Sequence, residues 1–259
     1  MPASTFRAVA VPTEHGGWSL TLEPVVLGLL VAPSASGFAL GAVALLVFLS
    51  RTPGKIAVVD SRRGHWRTRS RLAALVVGLE LILVGVSGAV AVATAEAAFW
   101  WPLAVALPLL AMELAYDTRS RSRRLAPELA GAIGVGSIAA AIALSGGASP
   151  EVATGLWMVI AARSIAAVTF VRVQLRRAKG HEYQTWHGDL GQLLAVGVAT
   201  TALLLSFVPG LAVVAICFAA MFNAVMLRRP PVPTPVLGSQ QIGLGLLVIF
   251  VTGLAVRAP

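Results

Sequence analysis

In the segment "AMELAYDT", Glu113, Tyr116 and Asp117 fall at i, i+3 and i+4. On a helix that spacing puts two carboxylates and a phenol on one face, where they could orient an acceptor and remove a proton from it. A second group stands near the start of the chain, where "TEHGGW" sets Glu14, His15 and Trp18 ahead of a long apolar run. Glu14, His15, Glu113 and Asp117 are therefore the candidates for acid–base work, with Trp18 and Tyr116 beside them. A third group is cationic. Arg51 and Lys55 lie four residues apart around Pro53, and Asp60 precedes "SRRGHWR". Guanidinium and ammonium groups so gathered can hold a phosphate or diphosphate through charge-assisted hydrogen bonds.

Arg163 is the cation hardest to place. It lies near the middle of "LWMVIAARSIAAVTFVRVQLRR", and at 100° per residue Phe170, Gln174 and Arg177 come near its face. A charge at that depth needs a carboxylate partner or an anionic ligand, and Glu23, Glu80 and Glu113 are the available partners. Glu128, which follows "LAP", opens another apolar run where a carboxylate suits the helix N-terminus.

These side chains sit in a chain whose composition decides the solvent. Of its 259 residues, 57% are hydrophobic and 12% charged, with a mean hydropathy of +0.84. Soluble domains carry about twice that charge fraction, so the lipid bilayer is the expected partner. Nine apolar stretches approach the roughly 20 residues that a spanning helix needs: 16–34, 36–50, 72–94, 98–116, 127–146, 151–172, 189–208, 210–227 and 236–256. The expected fold is an all-α, nine-span membrane bundle forming a single domain over 1–259. Turn-rich breaks such as "ALSGGASP" and "RRPPVPTP" separate the spans.

Loop charge sets the orientation. With a cytoplasmic N-terminus, 18 of the 20 Lys and Arg fall on the cytoplasmic side, and Arg257 alone lies outside. The C-terminus is then external, with Trp100 and Trp101 at the outer interface. The same bias accounts for most of the basic charge, so nucleic acid is not an expected partner. Trp66 and Trp186 lie in cytoplasmic basic loops, as headgroup anchors or parts of a lid. Cys217, alone of its type, reads as an inert buried residue and excludes an intrachain disulfide. No Walker loop, dinucleotide fingerprint, HExxH or GxSxG occurs, and the four histidines lack metal-ligand spacing.

"PTEHGGW" before the first span resembles the opening of the YwiC-like bacterial membrane proteins. "SRTPGK…VDSRRG" and "ARSIAAVTFVRVQLRRAKG" are similar to that family's other blocks. The resemblance implies a multi-pass protein of the bacterial cytoplasmic membrane. The nine-span plan, with polar segments after spans two and six, also resembles UbiA-type intramembrane prenyltransferases, and "AYDTRSRSRRLAPELAGAI" resembles the segment after their fourth helix. That second likeness implies a UbiA-like arrangement acting on an isoprenoid or other lipid diphosphate, with magnesium as cofactor. The aspartate-rich motifs that hold magnesium in that superfamily are missing; Arg51, Lys55, Arg163 and Arg177 stand in those regions instead. Basic residues would then grip the diphosphate directly, and Glu14, His15, Glu113 and Asp117 would serve the acceptor. The alternative is a transporter, or a lipid- or anion-binding membrane protein without chemistry.

Overall fold

The computed structural model describes Val9 and residues 15–64, 66–118 and 124–258. Among them the chain is all-helical. The helices are α1 (His15–Val31), α2 (Ala35–Arg62), α3 (Thr68–Thr94), α4 (Trp100–Thr118), α5 (Leu125–Ser145), α6 (Pro150–Ala178), α7 (Thr185–Leu204), α8 (Gly210–Leu227) and α9 (Thr234–Arg257). Six of them, α2, α3, α5, α6, α8 and α9, are long and apolar enough to cross a membrane. The other three expected spans are helices too. α1 is apolar but only 17 residues long, α4 begins with Trp100, Trp101 and Pro102 and ends on Glu113 and Asp117, and α7 opens with His187 and Asp189.

α5 is the central helix, in contact with α1, α2, α4 and α6. Its sequence "AGAIGVGSIAAAIA" explains this: small side chains let neighbouring backbones approach where lipid supplies no hydrophobic drive between helices. Ala139 to Ala143 are buried completely. α6 is the second hub and touches α1, α5, α7, α8 and α9. Ser149 caps it by accepting from Val152 N, with Pro150 in the first turn. The turns on either side of α6 pass through Gly147 at φ +84° and Gly180 at φ +65°, left-handed conformations that glycine adopts without a steric penalty.

Two local expectations are corrected. The segment from Arg51 to Arg71 is not one long loop: α2 runs through Pro53 to Arg62, and α3 begins at Thr68. The apolar "IAVV" after Pro53 sustains the helix, and at 28 residues α2 is about 42 Å long, beyond the roughly 30 Å of hydrocarbon. Cys217 is exposed on α8 rather than buried, so it faces outward where lipid would lie. The outer faces of α3 are similarly uncovered, with Leu75, Ile82 and Val86 exposed.

Candidate functional site

One end of the bundle gathers the charge. The C-terminal halves of α2, α4, α6 and α8 meet the N-terminal ends of α5 and α7 there, as five contacts demonstrate: Arg51–Glu113 at 2.8 Å, Lys55–Asp117 at 3.2 Å, Arg172–Glu128 at 3.2 Å, Arg228–Asp189 at 2.8 Å and Arg177 Nη1 to Leu227 O at 2.7 Å. Arg257, at the end of α9, instead reaches Leu30 O near the C-terminal end of α1.

The two groups expected to act on a substrate meet each other here. Arg51 and Lys55 rise from α2 at i and i+4 and pair with Glu113 and Asp117, which have the same spacing on α4. Gly131 of α5 leaves the room that the Glu113 carboxylate occupies; a Cβ there would overlap it. Tyr116 is half-buried on the same helix. Asp60 accepts a 2.6 Å hydrogen bond from Ser70, across the short α2–α3 turn. Trp18 packs edge-on against Phe48 of α2, ring centroids 5.1 Å apart. His15 begins α1, and Glu14 lies outside the described residues.

Deeper in the bundle, Arg163 is 3% exposed and finds its carboxylate in Glu23, at 3.4 Å. Its shorter bonds go to α9: Nη2 donates to Gln241 O at 2.6 Å and Nη1 to Gln241 Oε1 at 3.2 Å. The chain continues through amides. Gln241 Nε2 donates to Asn223 Oδ1 at 3.0 Å, Asn223 Nδ2 to Gln192 Oε1 at 3.3 Å, and Gln192 Nε2 to Ala166 O at 3.0 Å. Ser19 donates to Glu23 at the other end. Five helices, α1 and α6 to α9, are thus joined by a buried polar chain whose amides all present oxygen toward Arg163, an orientation that stabilises its charge. Sequence reasoning found Arg163 and Glu23 because ionisable groups stand out in apolar runs. It missed Gln192, Asn223 and Gln241, whose signal is weaker: uncharged polar residues in three different apolar helices. Glu80 and Glu113, the other candidate partners of Arg163, lie elsewhere; Glu80 is buried on α3 with Oε2 lacking a hydrogen bond.

Gln174 and Arg177, expected near a ligand, instead satisfy the carbonyls at the end of α8. Gln174 Nε2 donates to Met226 O at 2.9 Å, which also accepts from Arg229 N, and Arg177 donates to Leu227 O, the last carbonyls of a helix whose end offers few internal donors. Beside them opens a hollow in two parts. The outer part, about 550 Å³, is lined by Arg176, Gly180, His181, Glu182, Tyr183, Gln184 and His187. The inner part, about 210 Å³, shares four of these residues and adds Leu125, Thr169, Arg172 and Val173. Arg177 lies over the Tyr183 ring at 5.2 Å, and the exposed Trp186 stacks on His187. No group of three or more His, Cys, Asp or Glu placed to hold a metal occurs among the described residues.

Residues 11–143, just over half of the chain, match the family model described as YwiC-like protein. The chain belongs to the YwiC-like family. No curated protein and no solved structure matches it. The YwiC-like match takes in α1 to α4 and nearly all of α5, hence Glu23 and the paired Arg51, Lys55, Glu113 and Asp117. Arg163, the amide chain beyond it and all of the hollow except Leu125 lie outside the matched residues.

Proposed function

We propose that this YwiC-like protein is a multi-pass protein of the bacterial cytoplasmic membrane that binds a phosphate-bearing lipid headgroup, isoprenoid diphosphate included, on its inner-leaflet side. The observation carrying this reading is the two-part hollow beside the ends of α6 and α7. Its outer part offers the guanidinium of Arg176 and the rings of His181 and His187 to an anion. Its inner part adds Leu125 and Val173, against which the first carbons of a lipid chain can pack. Tyr183 in the lining and Trp186, stacked on the lining residue His187, are amphipathic side chains of the kind favoured at headgroup depth.

Prenyl transfer is a more demanding version of the same idea. It would need an acceptor placed against acids free to activate it, whereas with no lipid bound Glu113 and Asp117 each hold a cation of α2. Transport through the bundle would have to open the chain around Arg163, whose charge is already balanced by Glu23 and whose guanidinium donates to Gln241. Binding is therefore the reading the geometry supports best.

The experiment is a titration in phosphatidylcholine nanodiscs containing spin-labelled phosphatidic acid or a labelled isoprenoid diphosphate. Wild-type protein should immobilise the labelled lipid, and Arg176→Ala should lose most of that effect while keeping its helical content. Equal immobilisation by both proteins, or none by either, would end this reading.

A further inference from the structure

We infer that Arg51 and Lys55 form a second, exchangeable anion site, in which Glu113 and Asp117 stand in for a phosphate group. An arriving phosphate-bearing lipid would displace them and release the end of α4 from α2. The inference concerns different helices from the hollow between α6 and α7 and does not rest on it.

Four observations carry it. The two ion pairs are matched rungs, i to i+4 on both helices, so both cationic side chains leave the same face of α2, from Cβ atoms about 5–6 Å apart. Two long side chains so rooted can converge on one phosphate, whose oxygens can accept from the Arg51 fork and the Lys55 ammonium together. Both cations remain accessible, with 46% and 62% of their side chains exposed. Finally, α4 packs along α5 but has little backbone contact with α2, so the ion pairs bridge two helices whose backbones are not packed together.

The energetics favour exchange. Exposed ion pairs are worth little individually, because solvent and side-chain entropy offset the attraction. A doubly charged phosphate in the same leaflet is a competitor of comparable strength, and anionic headgroups concentrate where Arg51 and Lys55 emerge. Release leaves Glu113 and Asp117 to the solvated headgroup region, while α4 stays packed along α5. No covalent step is involved.

The test compares three proteins: one with both ion pairs intact, one with Glu113→Gln/Asp117→Asn and one with Arg51→Gln/Lys55→Gln. All three carry Arg176→Ala, so that the hollow does not contribute. Immobilisation of spin-labelled phosphatidic acid is measured in phosphatidylcholine nanodiscs, with inorganic phosphate as a separate arm to distinguish a free anion from a lipid headgroup. Removing the acids should tighten lipid binding about fivefold, since two weak competitors are lost, and removing the cations should abolish it. Purely structural ion pairs would instead make both double variants behave alike toward the lipid, which would overturn the inference. A second measurement leaves the ion-pair side chains intact: nitroxides at Val58→Cys and Leu114→Cys, with Cys217→Ala, report the α2–α4 separation. Phosphatidic acid should lengthen it and phosphatidylcholine alone should not; an unchanged distance in both bilayers would equally overturn the proposal.

Discussion

Arg163 Nη2 lies 3.4 Å from Glu23 Oε1, with the two side chains 4% and 9% exposed. The pair joins α6 to α1, and the 2.6 Å bond from the same nitrogen to Gln241 O ties both to α9. A buried guanidinium must keep its partners: removing one side of such a pair costs about 3–5 kcal/mol, because the remaining charge is left uncompensated. Replacing both by apolar groups of similar size costs far less. Arg163→Met and Glu23→Leu should each lower the midpoint of thermal unfolding in detergent sharply, and the double variant should recover most of the loss. Additive losses would mean that the two charges are stabilised independently.

Gly245 of α9 gives the pair its position. A Cβ on this residue would overlap the Glu23 carboxylate, whereas one on Gly243 would meet nothing within 4 Å. Alanine normally suits a helix better than glycine by about 0.5–1 kcal/mol. Gly243→Ala should therefore leave stability unchanged or slightly raised, and Gly245→Ala should lower it by the roughly 1–3 kcal/mol of an overpacked core. If the two variants melt together, α9 does not constrain Glu23 as the geometry requires.

Much of this was legible in the sequence. The helices follow from apolar runs bounded by turn residues, and α8 begins and ends at the expected residues. The partner of Arg163 was narrowed to three acids because so few occur in apolar segments. What could not be read was which charges find each other. Arg51 and Glu113 are 62 residues apart, and nothing local distinguishes a phosphate site from an ion pair when both use the same cations. The uncharged members of the buried chain were hidden for a related reason: an amide in an apolar helix gains meaning only once Gln192, Asn223 and Gln241 are brought together. The expected span 36–50 stopped short because Arg51 and Lys55 interrupt the apolar run, although the helix continues through Pro53 to Arg62.

The orientation can be tested directly, because the described basic residues divide unequally between the two ends of the bundle. Arg62 and Arg63 end α2 on the charged side with Arg176 and Arg228, while Arg257 lies near the C-terminal end of α1 at the other. The bias toward cytoplasmic Lys and Arg then requires the charged end to be inside. Cysteine introduced at the exposed Ser61 or Ala258, in a Cys217→Ala background, can be probed in whole cells with a membrane-impermeant maleimide. Ala258→Cys should react in intact cells and Ser61→Cys only after permeabilisation. The reverse pattern would place the α6–α7 hollow and the Arg51–Lys55 pair on the outer face, away from the inner-leaflet lipids assigned to them. Labelling of both sites from the same side would require an even number of crossings between α2 and the C-terminus, and so would remove at least one of α3 to α9 from the set that crosses the bilayer.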